Sequence, residues 1–190
     1  MNKLKNITKA DWRLLKEKYN NLEDIVQRIN KGYPIQYLIG YVNFYGYNIK
    51  VNPSVLIPRF ETESLVEKTL DYIKILDLEN ASLLDIGTGS GCISIALRKE
   101  IDTLEVTAID KSIRALRVAK KNAKLNKVKI NFIFKDVFKF NLINNYDVII
   151  SNPPYLSKED DVDDGIKYEP KNALYVKNNH LEFYEQIFII

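Results

Sequence analysis

The chain has 190 residues, room for one domain with a small appendage and for a core that needs no covalent staples. With 46% hydrophobic and 28% charged residues it reads as an ordinary globular protein, and one cysteine with one histidine excludes a disulfide framework and a structural zinc site. The N-terminal MNKLKNITKADW lacks the apolar run of a signal peptide, and no stretch approaches membrane-spanning length. The expectation is a cytoplasmic protein without a membrane anchor.

The net charge, 28 basic less 25 acidic residues, is +3, but it is unevenly spread. From Lys111 to Lys139 ten Lys or Arg residues face one acid, Asp136. From Glu159 to Asp164 five of six residues are acidic. A basic helix face can attract nucleic acid or an acidic partner, but a solvated face is the better reading of this run. The acidic run reads as a solvated loop, with a place at the substrate entrance as the alternative.

Residues 8–30 carry helical spacing, with Trp12, Leu15, Tyr19, Leu22, Ile25, Val26 and Ile29 in one apolar stripe that Gly32 and Pro34 end. Tyr47, Ile49 and Val51 then alternate with Asn48, Lys50 and Asn52, and Gly46 sits where a hairpin would turn. Helical spacing resumes from Glu61 to Leu76. Strands are predicted at Ser82–Ile86, Leu104–Ile109, Lys129–Phe134 and Tyr146–Ser151, with helices at Cys92–Lys99 and Ser112–Leu125 between them. This alternation predicts an α/β fold with a doubly wound parallel sheet. Cys92 falls at the buried start of a helix, and His180 at the surface near another.

Ligands of such sheets bind beyond the carboxyl ends of the strands. Four strand ends are suggestive here. Gly87-Thr88-Gly89-Ser90-Gly91 runs from strand to helix, where glycines allow close backbone approach and the helix N-terminus offers free N–H groups. A structural turn is the plainer alternative, but the strand–turn–helix context favours a ligand. Asp110 ends the next strand about 20 residues on, a spacing that suits a carboxylate bound to ribose hydroxyls. An N-terminal cap for the following helix competes for the same residue. Asp136-Val137 follows the third strand, placed for polar and apolar contact with an adenine. The fourth end is Asn152-Pro153-Pro154-Tyr155, where two prolines remove two donors and stiffen the chain. The Asn152 side-chain oxygen and the Pro153 carbonyl are left as fixed acceptors beside an aromatic ring, a cradle for a planar NH₂ group.

The glycine loop, Asp110 and Asn-Pro-Pro-Tyr together resemble the S-adenosylmethionine-dependent amino-methyltransferases. Gln36-Tyr37-Leu38-Ile39-Gly40, the hairpin around Phe44 and Gly46, and the block from Val55 to Glu63 (Val-Leu-Ile-Pro-Arg-Phe-Glu-Thr-Glu) narrow this to the HemK/PrmC family of release-factor glutamine methyltransferases. The resemblance spans about Tyr33 to Tyr184. It implies a Rossmann-like class I methyltransferase sheet over 59–190, a helical substrate-recognition region over 1–40 and a hairpin linker over 41–58. It also implies methylation, on the side-chain nitrogen, of the Gly-Gly-Gln glutamine of class 1 peptide chain release factors; a monomer is expected. Gly87, Thr88, Gly89, Ser90 and Gly91 would hold the methionine part of S-adenosylmethionine, Asp110 the ribose and Val137 the adenine. Asn152 would touch cofactor and substrate, with Pro153, Pro154 and Tyr155 completing the clamp; Asn152, Pro153 and Tyr155 would be catalytic.

Two departures stand out. Residue 60 is Phe where the family pattern usually has Pro. The family's catalytic domain continues beyond the helix starting near Leu181, so the sheet is expected to be incomplete at its C-terminal side. The strand ending at Ser151 then becomes an edge if nothing else pairs there. Two other functions fit parts of the pattern. The same clamp suits an exocyclic amine of DNA or RNA, although no target-recognition domain is evident and a base would have to be flipped out. A module that binds S-adenosylmethionine without turnover would fit the shortened sheet.

Overall fold

The structure, a computed structural model, describes residues 7–78, 80–139, 145–157, 160, 165–176 and 179–189. Of the acidic run, Glu159 and residues 161–164 lie outside the described residues.

The stripe predicted as one helix over 8–30 forms two, α1 (Lys9–Lys18) and α2 (Leu22–Asn30). The break has a local cause. The Asn21 side chain accepts from the N–H groups of Glu23 and Asp24 at 3.0 and 3.3 Å and so caps a new helix, while Thr8 and Asp11 form a reciprocal capping box on the first. A third, five-residue helix, α3 (Ile35–Ile39), was not foreseen. Leu15, Ile25, Ile29 and Leu38 form the shared core of these helices, with Trp12 packed at its side.

Strands β1 (Tyr41–Phe44) and β2 (Tyr47–Lys50) make the expected hairpin. Its two-residue turn places Tyr45 at φ 50° and Gly46 at φ 81°. Both left-handed conformations match the twist of paired strands, and glycine takes one of them without a Cβ clash.

The main sheet is β5-β4-β3-β6, all parallel, built from β3 (Ser82–Ile86), β4 (Glu105–Asp110), β5 (Asn131–Phe134) and β6 (Val148–Ser151). Helix α4 (Glu61–Ile75) leads into β3, α5 (Cys92–Glu100) joins β3 to β4, and α6 (Ile113–Leu125) joins β4 to β5. Successive β3 residues serve opposite faces, as a pleat requires. Leu83 joins the large core under the hairpin and the helices α4 to α6, while Leu84 and Ile86 join a smaller one with Ile109, Val137, Val176 and Phe183. Phe183 belongs to α8 (Glu182–Ile189), which follows the short α7 (Lys171–Leu174). Among the described residues β6 is an edge strand, as expected if nothing else pairs there. The chain turns from β3 toward β4 on one side and returns to β6 on the other, so the switch point lies at the carboxyl ends of β3 and β6. No helix among the described residues is long and apolar enough to cross a membrane.

Candidate active site

A cleft opens at that switch point, where ligands of open parallel sheets bind. It gathers residues from the carboxyl end of every strand of the main sheet: Ile86, Gly87 and Gly89 at β3, Asp110 at β4, Val137 beyond β5, and Ser151 to Pro154 at β6. Thus Gly87, Gly89, Asp110, Val137, Asn152, Pro153 and Pro154, all singled out in the sequence, line one space. Thr88, Ser90 and Gly91 lie behind its wall. Thr88 and Ser90 are buried, and a Cβ on Gly91 would sit 3.1 Å from the Ala119 Cβ.

The loop is shaped from beneath by Asp85. Its Oδ2 accepts from the hydroxyls of Thr88 at 2.7 Å and Ser94 at 2.5 Å, whereas the buried Oδ1 has no hydrogen-bond partner among the described residues. Burial pushes the Asp85 carboxyl up to about 6, against the pull of the two hydroxyls. From the side, Asp110 Oδ2 accepts from Gly89 N at 2.9 Å and its Oδ1 from Ser112 N at 2.7 Å. The cap of α6 is Ser112, whose Oγ accepts from Ala115 N. Asp110 therefore fastens the glycine loop to the start of α6, and each of its oxygens keeps a lone pair. Burial raises its carboxyl as well, while the two backbone N–H groups and Lys111 oppose the rise.

The clamp segment lies between this cleft and a second hollow. Asn152, Pro153, Leu56 and Ala173 line both, while Arg59, Tyr155, Leu156 and Ile166 line the second alone. Tyr155 is half-exposed there rather than in the main cleft. His180 is exposed as expected, and its Nδ1 lies 2.7 Å from the Tyr155 carbonyl oxygen, tying the start of α8 to the clamp. The segment after the clamp pairs with the chain around α7, where Leu156 N donates to Leu174 O and Val176 N to Leu156 O. That return brings Pro170, Asn172 and Ala173 onto the cleft, and no periodicity in the sequence announced it.

The block from Val55 to Glu63 is the hub of the site. Arg59 Nη2 lies 2.6 Å from Glu169 Oε1, and Glu169 Oε2 accepts from Ile57 N at 3.0 Å. Glu63 Oε1 accepts from Tyr45 N in the hairpin turn at 2.9 Å, and Thr62 Oγ1 accepts from Asn152 Nδ2 at 3.1 Å. Thr62 stands out in the sequence only as part of the Val55 to Glu63 block, with no role of its own, and Glu169 does not stand out. Each pairs across a long stretch of sequence, which leaves no local pattern.

Residues 63–169 match the family model described as methyltransferase small domain. The release factor glutamine methyltransferase of Lactococcus lactis is 37% identical over 193 residues, which cover 97% of this chain and 70% of that protein. The chain belongs to the release factor glutamine methyltransferase family. The protein of the same name from Flavobacterium psychrophilum is 42% identical over 97% of this chain, and this chain spans 64% of that relative's length. The Streptococcus pneumoniae member is 44% identical over 87% of this chain and 59% of its own. Among solved structures, the catalytic domain of hMettl16 in complex with an RNA hairpin superposes with a TM-score of 0.57 at 20% identity, over 76% of this chain and 56% of that one. That likeness concerns the fold alone, a Rossmann-like class I methyltransferase sheet.

Proposed function

We propose that this chain carries the methyl-transfer site of a protein glutamine N5-methyltransferase, with S-adenosylmethionine as donor and the Gly-Gly-Gln glutamine of a class 1 release factor as acceptor. The observation that carries the reading is the position of Asn152 and Pro153 on both hollows, so that one clamp can face a donor in the first and an acceptor in the second. In this reading the enzyme meets its release factor in the cytoplasm, as a monomer.

The residues present suit the donor. A Cβ on Gly87 would meet nothing within 4 Å, so the bare glycine leaves open space on the cleft side. Gly87 and Gly89 would border the methionine moiety, the remaining lone pairs of Asp110 would take ribose hydroxyls, and Val137 would pack on the adenine. S-adenosylmethionine, when bound, supplies an electrophilic methyl group on a sulfonium.

The chain's own contribution is positioning. The lone pair of an amide nitrogen is delocalised into its carbonyl, which makes that nitrogen a poor nucleophile. Asn152 Oδ1 and the Pro153 carbonyl would each accept one hydrogen of the acceptor NH₂, aiming the nitrogen and drawing electron density onto it. The stiff Pro153-Pro154 pair holds these acceptors in place before the acceptor arrives, which is the preorganisation that lowers such barriers. A strong base is not needed before attack, because the amide proton can leave once the new N–C bond has formed.

The test is transfer of labelled methyl to purified, unmodified release factor. Label on the Gly-Gly-Gln glutamine is expected, and with Asn152→Ala it should be lost while part of the donor affinity remains. Normal turnover by that variant would sink the clamp.

A further inference from the structure

The amide of Asn152 has two unlike ends. Only its oxygen can accept from an acceptor NH₂; its own NH₂ turned the same way would present hydrogen against hydrogen. A rotation of the terminal torsion by half a turn exchanges the two ends and barely changes the shape, so packing alone does not choose between them.

A hydroxyl both donates and accepts, so it can hold either end of an amide, and in the structure Thr62 holds the Nδ2 end. It stands in the first turn of α4, 6% exposed, and its Oγ1 accepts from Asn152 Nδ2 at 3.1 Å across ninety residues of sequence. With the donor end held on Thr62, Oδ1 is left for the junction of the two hollows. The backbone that carries this hydroxyl is held at the start of its helix. Thr62 N donates to Arg59 O at 3.0 Å and Glu63 N to Phe60 O at 2.9 Å, and the neighbouring Arg59 and Glu63 side chains are anchored on Glu169 and Tyr45. The cap position of α4 is Phe60, with no side-chain cap bond, so Thr62 does not serve as that helix's cap.

We propose that Thr62 is a positioning residue that anchors the Asn152 carboxamide by its Nδ2, so that Oδ1 faces the acceptor amide. The proposal rests on the glutamine-methylating reading above and adds to it a residue that touches neither donor nor acceptor. It assigns a chemical task to the threonine of the Arg-Phe-Glu-Thr-Glu block: a hydroxyl, rather than merely a small side chain, is required there.

The experiment compares wild type with Thr62→Val, which keeps the shape and loses the hydroxyl, and with Thr62→Ser, which keeps the hydroxyl. Methyl transfer from S-adenosylmethionine to unmodified release factor is measured together with donor affinity and melting temperature. In Thr62→Val, turnover should fall by roughly tenfold to a hundredfold, the scale of an interaction lost beside a buried polar group, with donor affinity changed less than about twofold. Thr62→Ser should recover most of the rate. The side-chain NH₂ protons of Asn152, followed by NMR, should exchange faster in Thr62→Val than in wild type or Thr62→Ser. Thr62→Ala replaces the valine variant if that one does not fold. Wild-type turnover by Thr62→Val, or equal losses in the valine and serine variants, would overturn the proposal and leave the glutamine reading standing. An inactive wild type would overturn the reading itself, and this proposal with it.

Discussion

Asn122 hydrogen-bonds both backbone groups of Lys50: its Oδ1 accepts from Lys50 N at 2.8 Å and its Nδ2 donates to Lys50 O at 3.0 Å. The same Nδ2 donates to Ser90 O at 2.9 Å. One fully buried amide on α6 thus stands in for a neighbouring strand along the hairpin and also holds the glycine loop from behind. Removing it leaves a buried carbonyl without its partner, so Asn122→Ala should cost about 2–4 kcal/mol. Asn122→Asp should be no better, because a carboxylate cannot donate to two carbonyls. Urea unfolding of both variants checks this, and a loss confined to the aspartate would contradict it.

The pair Arg59–Glu169 predicts an asymmetry. The Glu169 side chain is 3% exposed and that of Arg59 33%, so each loses a different environment when its partner goes. Without Arg59, Glu169 is a buried charge left with the Ile57 N–H. Without a charge at 169, Arg59 still reaches water. Arg59→Met should therefore cost about 2–3 kcal/mol, discounted from a fully buried pair for its exposure, and Glu169→Gln about 1. The double variant should lose less than the sum. Equal single losses in urea unfolding would show that the pair is effectively solvated.

Much of this was legible because burial leaves a pattern in sequence. Ser82–Ile86 reads as a short apolar run and forms β3 with those limits, and Gly46 falls in the predicted turn. The break at Asn21 was hidden because the apolar stripe continues across it, and a cap is a single side chain rather than a period. The start of β5 was placed two residues early, since Lys129 and Ile130 continue the alternation without joining the ladder. At the site, Gly87, Asp110 and Asn152 carry chemistry in their residue types. Glu169 and the chain around α7 matter through contacts across the fold, and nothing in their own neighbourhoods distinguishes them; Thr62 lies in a recognisable block, but its partner Asn152 is ninety residues away.

Gly87 and Gly91 separate ligand space from packing. Both are left-handed, at φ 73° and 81°, so alanine at either incurs about 1–2 kcal/mol of backbone strain. At Gly87 that is the whole cost to stability, because the added methyl enters open space on the cleft side. At Gly91 it also meets the Ala119 Cβ at 3.1 Å and the Ile95 Cδ1 at 3.4 Å, where α5 and α6 are packed. Gly87→Ala should weaken donor binding with a modest loss of stability. Gly91→Ala should lose about 2–4 kcal/mol, with overpacking added to the strain. Calorimetric titration with S-adenosylmethionine beside thermal melting distinguishes the two, and an unchanged donor affinity in Gly87→Ala would place the donor elsewhere.

Asp85 predicts how stability depends on pH. Burial is the main cause that moves its carboxyl from 3.8 to about 6, and the charge of Asp110 adds to it against the Ser94 and Thr88 hydroxyls. The native state thus binds this proton more tightly than the unfolded chain. The resulting stabilisation is complete below the unfolded value and is lost as pH rises through about 6. The change from 3.8 to about 6 corresponds to about 3 kcal/mol. Asp85→Asn cannot titrate, so it should gain on the wild type by about that amount between pH 4 and pH 7, whatever its fixed cost from a lost acceptor. Urea unfolding of both proteins across that range measures the difference. A gap that does not change with pH would mean that Asp85 stays ionised beneath the loop, with a donor on its Oδ1.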